Sequence, residues 1–356
     1  MAPASSLNQS RARVPTLVLL EPEQVSLVRA IGSLGHLEFV GVGAPASSGA
    51  GAARDAAAAL ESEPADDFRR ALASTEARLV LFAASGASDE EPTLDDPELL
   101  GECRERGMKI ASIEPCPASG MDLRRFEKQG AAIGADREAV RFVPAMRRSR
   151  GFRAAQEVLE SMGATRSLSV SMRGGAAHGT LGARLFDAMD LVHTLMGEPE
   201  TVDAAIIGPM SEGGVRLEAG ESLREARGDM TANLRFASAR CASIALSDCA
   251  GRWFRGATLV AQRGCLRVDD KSFELIEPSG ETADRSRSRL STGSADDPPA
   301  AAAIADQITQ LLDPRAAPMP PSDLATVLAM CEAALLSART GQPESPATLL
   351  RMAQAR

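Results

Sequence analysis

The stretch 16–35, TLVLLEPEQVSLVRAIGSLG, decides the fold. Thr16–Leu20 is a short apolar run typical of a buried parallel strand, and residues 23–34 place apolar side chains at helical spacing. In a nucleotide-binding α/β unit, glycines at such a strand-to-helix turn let the backbone approach a pyrophosphate. Here the turn is Glu21-Pro22-Glu23-Gln24. The stretch therefore predicts the first strand and helix of a Rossmann-like unit that lacks the phosphate-seating glycines.

Strands and helices alternate through the first 145 residues, which predicts a doubly wound parallel sheet. The predicted strands are 16–20, 38–42, 79–83, 109–113 and 139–143, and the predicted helices are 23–34, 68–72, 95–106 and 120–134.

Beyond residue 145 a helix at 152–162 precedes several consecutive strands with short turns, which predict a largely antiparallel sheet. These strands are 166–173, 201–208, 229–236, 240–248, 257–261 and 264–268, with a helix at 181–196. Residues 279–300 are rich in Ser, Arg, Asp and Pro and predict a mobile loop, followed by two closing helices at 300–312 and 322–340.

The fold class we predict is α/β: an N-terminal Rossmann-like domain followed by a C-terminal α+β domain with an open sheet. The predicted boundaries are a disordered lead-in at 1–14, the Rossmann-like domain at 15–145, the α+β domain at 146–320, and a closing helix at 321–356 that packs back on the first domain.

Composition excludes several classes of function. A net charge of −9 argues against nucleic acid and against an anionic membrane surface. Six scattered cysteines and three histidines predict free thiols in a reducing cytoplasm and no metal site. The polar start of the chain has no apolar segment for export, which also favours the cytoplasm.

Three segments, in this order and spacing, resemble the glucose-fructose oxidoreductase, inositol dehydrogenase and MocA family (Gfo/Idh/MocA). They are Gly107–Ile110 with Ile113-Glu114-Pro115, Leu195–Val202, and Ser322–Gly341. The resemblance implies an NAD- or NADP-dependent oxidoreductase that acts on a sugar or cyclitol, with a small polyol or sugar as ligand. It also implies a homo-oligomer associated through the open face of the C-terminal sheet, or a pairing with an intact paralogue.

The resemblance assigns five positions to the cofactor pocket, and four of them depart from the family pattern. Glu21 stands in the glycine turn, Gly43 ends the second strand where an acid binds ribose, and Ser85 follows the third strand in place of a Thr-Pro turn. At the family's Glu-Lys-Pro motif, Glu114 matches the Glu and Pro115 takes the lysine position.

The resemblance implies that the helix at 181–196 carries the family's catalytic His. The helix can be aligned with the family in two ways, and neither places a His at that position. Counting back from Gly197 puts Asp187 in that position, whereas aligning Leu185-Phe186-Asp187 puts Leu191 there. Asp187, Asp190 and His193 nevertheless continue one helix face at intervals of three. They are our candidate catalytic residues; the alternative is a polar stripe against the sheet with satisfied hydrogen bonds.

Four arginines follow the predicted domain boundary: Arg147, Arg148, Arg150 and Arg153. They could bind an anionic substrate, or form a solvated, salt-bridged hinge.

Two hypotheses for function remain open. Five missing landmarks favour a homologue that has lost dinucleotide binding and hydride transfer, has no cofactor, and serves as a sensor, scaffold or partner subunit. The alternative is a divergent oxidoreductase that retains NAD or NADP in an altered pocket.

Overall fold

The computed structural model describes residues 12–84, 94, 96–128, 140–208, 223–288, 298–316 and 320–354. Within these ranges the chain forms two sheets with helices packed on them. The strands of the first sheet are β1 (Val14–Leu19), β2 (Leu37–Gly43), β3 (Leu79–Phe82), β4 (Lys109–Ser112) and β5 (Arg141–Phe142). The strands of the second sheet are β6 (Thr165–Arg173), β7 (Thr201–Ile207), β8 (Asp229–Phe236), β9 (Arg240–Ser247), β10 (Phe254–Ala261), β11 (Gly264–Asp269), β12 (Ser272–Ile276) and β13 (Thr282–Arg287).

The helices of the described ranges flank these sheets, and none is long and apolar enough to cross a bilayer. They are α1 (Val25–Gly35), α2 (Ala52–Ala59), α3 (Phe68–Ser74), α4 (Pro97–Glu105), α5 (Gly120–Lys128), α6 (Arg150–Ala154), α7 (Gln156–Ser161), α8 (Leu181–Met196), α9 (Pro299–Leu312), α10 (Leu324–Thr340) and α11 (Pro346–Gln354).

The first sheet is parallel and has the strand order β2-β1-β3-β4-β5. Helices cover both faces of this sheet, and its central strand β3 is therefore apolar and buried at every residue. From β1 the chain passes to β2 on one side of the sheet, whereas β3 and the later strands lie on the other side of β1. The order in which strands are added therefore reverses between β1 and β3. The carboxyl ends of these two strands therefore border the crevice in which such sheets bind ligands.

The second sheet has the order β13-β12-β11-β10-β6-β9-β8-β7, and all its neighbours are antiparallel except β6 and β9. Helices α8 and α10 cover one face. Strand β8 shows the resulting alternation: Met230, Ala232, Leu234 and Phe236 point into the core and the residues between them are exposed. Within the described ranges the other face stays open, and the two sheets confirm the predicted fold class.

The end of the chain packs differently from our prediction. Helix α9, which we placed in the second domain, packs on α1 and shares the core of the first sheet. Helix α10, which we expected on the first domain, packs mainly on β7, α11 and α8, and also contacts α5 of the first domain. Periodicity alone could not assign these helices because both are rich in Ala and Leu.

Two other parts of the secondary-structure prediction were wrong. Residues 282–287 of the predicted loop form the edge strand β13, whose polar and charged side chains are exposed and give no apolar alternation. Helices α2 and α11 and strand β12 were not predicted. The predicted lead-in at 1–11, residues 129–134 of the predicted helix and the loop from 289 to 297 lie outside the described residues.

Candidate functional site

The turn after β1 is closed by its own side chains. Residues Pro22–Gln24 form a 3₁₀ turn that leads into α1. The buried Gln24 side chain accepts a hydrogen bond from the Glu21 N–H at 2.9 Å and donates one to the Ala83 carbonyl at 2.7 Å. Since Ala83 follows β3, this amide bridges the carboxyl ends of β1 and β3. The crevice at which the topology places a ligand is thus crossed by a glutamine.

Negative charge surrounds the same turn. Burial raises the pKa of Glu21, and the neighbouring Glu23 carboxyl raises it further. Glu114 acts in the same direction, whereas Arg227 lowers this pKa. Two carboxyl groups this close to a helix N-terminus stabilise the helix dipole and repel a phosphate.

The end of β2 leaves no room for a ribose-binding side chain. A Cβ on Gly43 would lie 2.7 Å from a ring carbon of Phe68 and 3.2 Å from Leu19. A carboxylate at this position would have to displace the Phe68 ring. Ser85, the predicted position after β3, lies outside the described residues.

Glu114 and Pro115, the two positions of the Glu-Lys-Pro motif, are buried against the second domain. The Glu114 carboxylate accepts hydrogen bonds from Thr180, through the backbone N–H at 2.9 Å and the hydroxyl at 2.7 Å. Burial raises the pKa of Glu114, and the bonds from Thr180 oppose that rise. The Pro115 carbonyl accepts a bond of 2.8 Å from Arg224.

The two aspartates of α8 are buried in ion pairs. Asp187 accepts a hydrogen bond from the Met146 N–H at 2.6 Å and from Arg255 at 2.8 Å. Asp190 pairs with Arg147, whose Nε lies 2.5 Å from its carboxylate. Burial raises the pKa of Asp187 to about 6, and the positive charge of Arg255 opposes this rise.

These contacts correspond to the satisfied polar stripe that we weighed as the alternative to an acid–base site. The partners of both carboxylates are arginines and a backbone amide, and His193 is half-buried in the last turn of α8. A catalytic role for Asp187, Asp190 and His193 therefore stays a prediction.

The arginine cluster joins separate elements of the chain through salt bridges. Arg147 is buried and also donates to the Pro320 carbonyl at 2.7 Å. Arg150 and Arg153 both pair with Asp306 of α9, at 2.5 and 3.2 Å. The cluster thus forms salt bridges, as the hinge alternative expects, although Arg147 is not solvated.

Between the domains lie three residues that we did not select from the sequence: His178, Trp253 and Arg255. The 3₁₀ turn Ala176–His178 lies against the turn Pro22–Gln24. The His178 ring packs edge-on against Trp253, with ring centroids 5.8 Å apart, and Trp253 packs on the core of the first domain. Burial, followed by the charge of Arg184, lowers the pKa of His178.

Arg255 completes this group. Its guanidinium lies over the Trp253 ring, 5.1 Å from the centroid, and binds Asp187 and Asp270. One sequence signal could have revealed it, because Arg255 occupies an inward position in the alternation of β10. A charged residue at such a position needs a buried partner.

Solved structures match the chain over both domains. An oxidoreductase from Agrobacterium radiobacter, solved with NAD⁺, L-tartaric acid and magnesium, has a TM-score of 0.62 and 14% identity and covers 95% of this chain and 100% of its own. The chain has the Gfo/Idh/MocA fold.

Two further structures of this fold extend the comparison. GenD2 of gentamicin A biosynthesis, solved with NAD, has a TM-score of 0.61 and 16% identity and covers 97% of this chain and 99% of its own. Levoglucosan dehydrogenase, solved with NADH and levoglucosan, has a TM-score of 0.61 and 14% identity and covers 94% and 99%. No protein-family model and no curated protein sequence matches the chain.

Several features of the described residues in this Gfo/Idh/MocA-fold chain oppose the usual contacts to a dinucleotide. The N–H of Glu21 is bound by Gln24, Pro22 has no N–H, and the glutamates repel phosphate. Phe68 covers the end of β2. The sequence showed that this turn lacks the glycines, but not which contacts take their place.

Proposed function

We propose that this chain is a Gfo/Idh/MocA-fold protein that has given up dinucleotide binding and hydride transfer and works as a partner or scaffold subunit. One observation carries the proposal: the Gln24 amide bridges Glu21 and Ala83 across the crevice at which a pyrophosphate would bind. The acidic turn and the covered Gly43 support it independently.

A direct binding measurement tests this proposal. We expect neither NAD(H) nor NADP(H) to bind with a dissociation constant below about 1 mM, because the chain itself satisfies or repels the phosphate contacts. Trp253, the single tryptophan, lies between the domains and would transfer excitation to a bound reduced nicotinamide. The measurement is Trp253 fluorescence during NADH and NADPH titration, with the melting temperature followed in parallel.

Levoglucosan dehydrogenase is the positive control because it has the same fold and was solved with NADH. A saturable change in Trp253 emission at micromolar coenzyme, with a rise in melting temperature, would refute the loss of binding.

A divergent oxidoreductase is the second candidate. Its support is that similar structures covering both domains were solved with NAD or NADH, one of them with a sugar derivative. On this alternative the chain binds NAD or NADP and oxidises a hydroxyl of a sugar or cyclitol. Coenzyme-dependent turnover of such a polyol would favour it over the first proposal.

For association we propose the open face of the second sheet, either with a second copy or with an intact paralogue. This face carries a groove of about 360 Å³, in which Ser169, Thr258 and the exposed Phe254 take part. The Ser171 hydroxyl in the groove is buried without a hydrogen-bond partner among the described residues.

Sedimentation equilibrium tests the homo-oligomer. We expect wild-type protein to be at least dimeric at micromolar concentration, and Phe254→Asp to weaken association by placing a charge in the buried contact. Met121→Asp is the matched control, since Met121 is exposed on α5, away from the sheet. A monomeric wild type would rule out the homo-oligomer.

A further inference from the structure

The segment that follows β4 is held from both sides by the second domain. On one side, Thr180 donates two hydrogen bonds to the Glu114 carboxylate. On the other side, the bonds are Arg224 Nη2 to Pro115 O at 2.8 Å, Leu223 N to Ala118 O at 3.1 Å, and Gly120 N to Glu332 Oε1 at 2.7 Å. We call residues 114–120 the clamped segment. Opening the cleft between the two domains at this segment would require all these bonds to break together.

The Glu114 contact is a buried pair of hydrogen bonds at the start of a long helix. Glu114 is 4% exposed, and Thr180 is the N-cap of the 16-residue helix α8. Negative charge at a helix N-terminus is favoured by the helix dipole. Arg224 and Arg227 add positive charge nearby.

A second carboxylate holds the same helix end from within the second domain. Asp248 accepts from the Leu181 N–H at 3.1 Å and from the Gly228 N–H at 2.8 Å. Helix α8 is therefore fixed to its own domain by Asp248 and to the first domain by Glu114. The helix cannot move away with one domain without breaking its contact with the other.

We propose that the two domains stay closed on each other in solution without a ligand. The hydrogen bonds from Thr180 to Glu114 hold them closed, and we call this contact the latch. Domains joined in one chain ordinarily move relative to each other unless their interface is extensive. Here the clamped segment occupies the cleft itself, so the closed arrangement needs no ligand to hold it. The inference does not depend on whether a dinucleotide binds.

Hydrogen exchange of the full wild-type chain tests the latch without any variant. The amides of Thr180, Leu223 and Gly120 donate the interdomain bonds. We expect peptides that cover them to exchange as slowly as the core strand β8. Exchange within seconds at these three positions, while β8 stays protected, would show a cleft that opens and would overturn the proposal.

Two substitutions separate the hydrogen bonds from the charge. Glu114→Ala removes both acceptors, and we expect exchange in residues 114–120 and 179–184 to rise by about tenfold or more, with β8 unchanged. Glu114→Gln keeps an acceptor for the Thr180 N–H and a donor for its hydroxyl oxygen, so it should fall between alanine and wild type.

Glu157→Ala, at an exposed site on α7, is the control and should match wild type. If Glu114→Ala also exchanged like wild type, Glu114 would not be the latch. If Glu114→Ala failed to fold, Glu114→Gln would decide: exchange above wild type supports the latch, and exchange equal to wild type contradicts it.

Discussion

Gly182→Ala is expected to lower the free energy of unfolding by about 3 kcal/mol or more. Gly182 is the second residue of α8, and a Cβ there would overlap the carbonyl oxygen and carbon of Leu223. These are backbone atoms, so no flexible side chain can move aside. Residues 223 and 224 would have to withdraw, and with them the bonds to Ala118 and Pro115.

Urea unfolding followed by circular dichroism measures this effect, and Gly101→Ala supplies the matched control. Gly101 lies within α4, and a Cβ there would meet no atom within 4 Å. Alanine is the better helix former, so this control should be stabilised by up to about 1 kcal/mol. Equal stability of the two variants would mean that α8 does not approach residue 223 as closely as described.

Arg255→Met is expected to cost about 3–5 kcal/mol, because it leaves two buried carboxylates without their common cation. Arg255 binds Asp187 and Asp270 and donates to the Pro144 carbonyl at 3.1 Å. Methionine fills much of the same volume, so the loss measures charge and hydrogen bonding more than packing. The melting temperature should fall by roughly 10 °C.

Differential scanning calorimetry tests this prediction, with Arg267→Met as the control. Arg267 belongs to the same sheet, but its pair with Glu274, at 3.6 Å, is exposed, and such pairs contribute little. We therefore expect Arg267→Met to change stability by less than about 1 kcal/mol. A similarly small change in stability for Arg255→Met would show that Asp187 and Asp270 do not need the Arg255 guanidinium as a partner.

Local sequence signals predicted much of the fold. The bounds predicted for α8, 181–196, are those of the structure, because Thr180 caps its first turn and Gly197 ends it in a backbone conformation that favours glycine. Most strands with alternating or fully apolar residues were found for the same reason, although β12 was missed. Strand β13 was not, since an exposed, charged edge strand has no apolar face to reveal it.

The candidate site was harder to predict because its bonds join distant parts of the chain. Gln24 bonds to Ala83, 59 residues later, and Asp187 to Arg255, 68 residues later. A single sequence shows that Asp187 is acidic and lies on a helix, but not which residue meets it. The missing glycines could be read from residues 21–24 alone, whereas their replacement by a bridging amide could not.

The packing of α9 on α1 makes the first domain discontinuous in sequence. A ribosome that has made residues 1–145 has not yet made the helix that covers Val28 and Ile31 of α1. That apolar surface stays uncovered until about residue 312 has left the exit tunnel. The N-terminal half of this chain therefore cannot complete its folding until most of the second domain has been made, even though it is synthesised first.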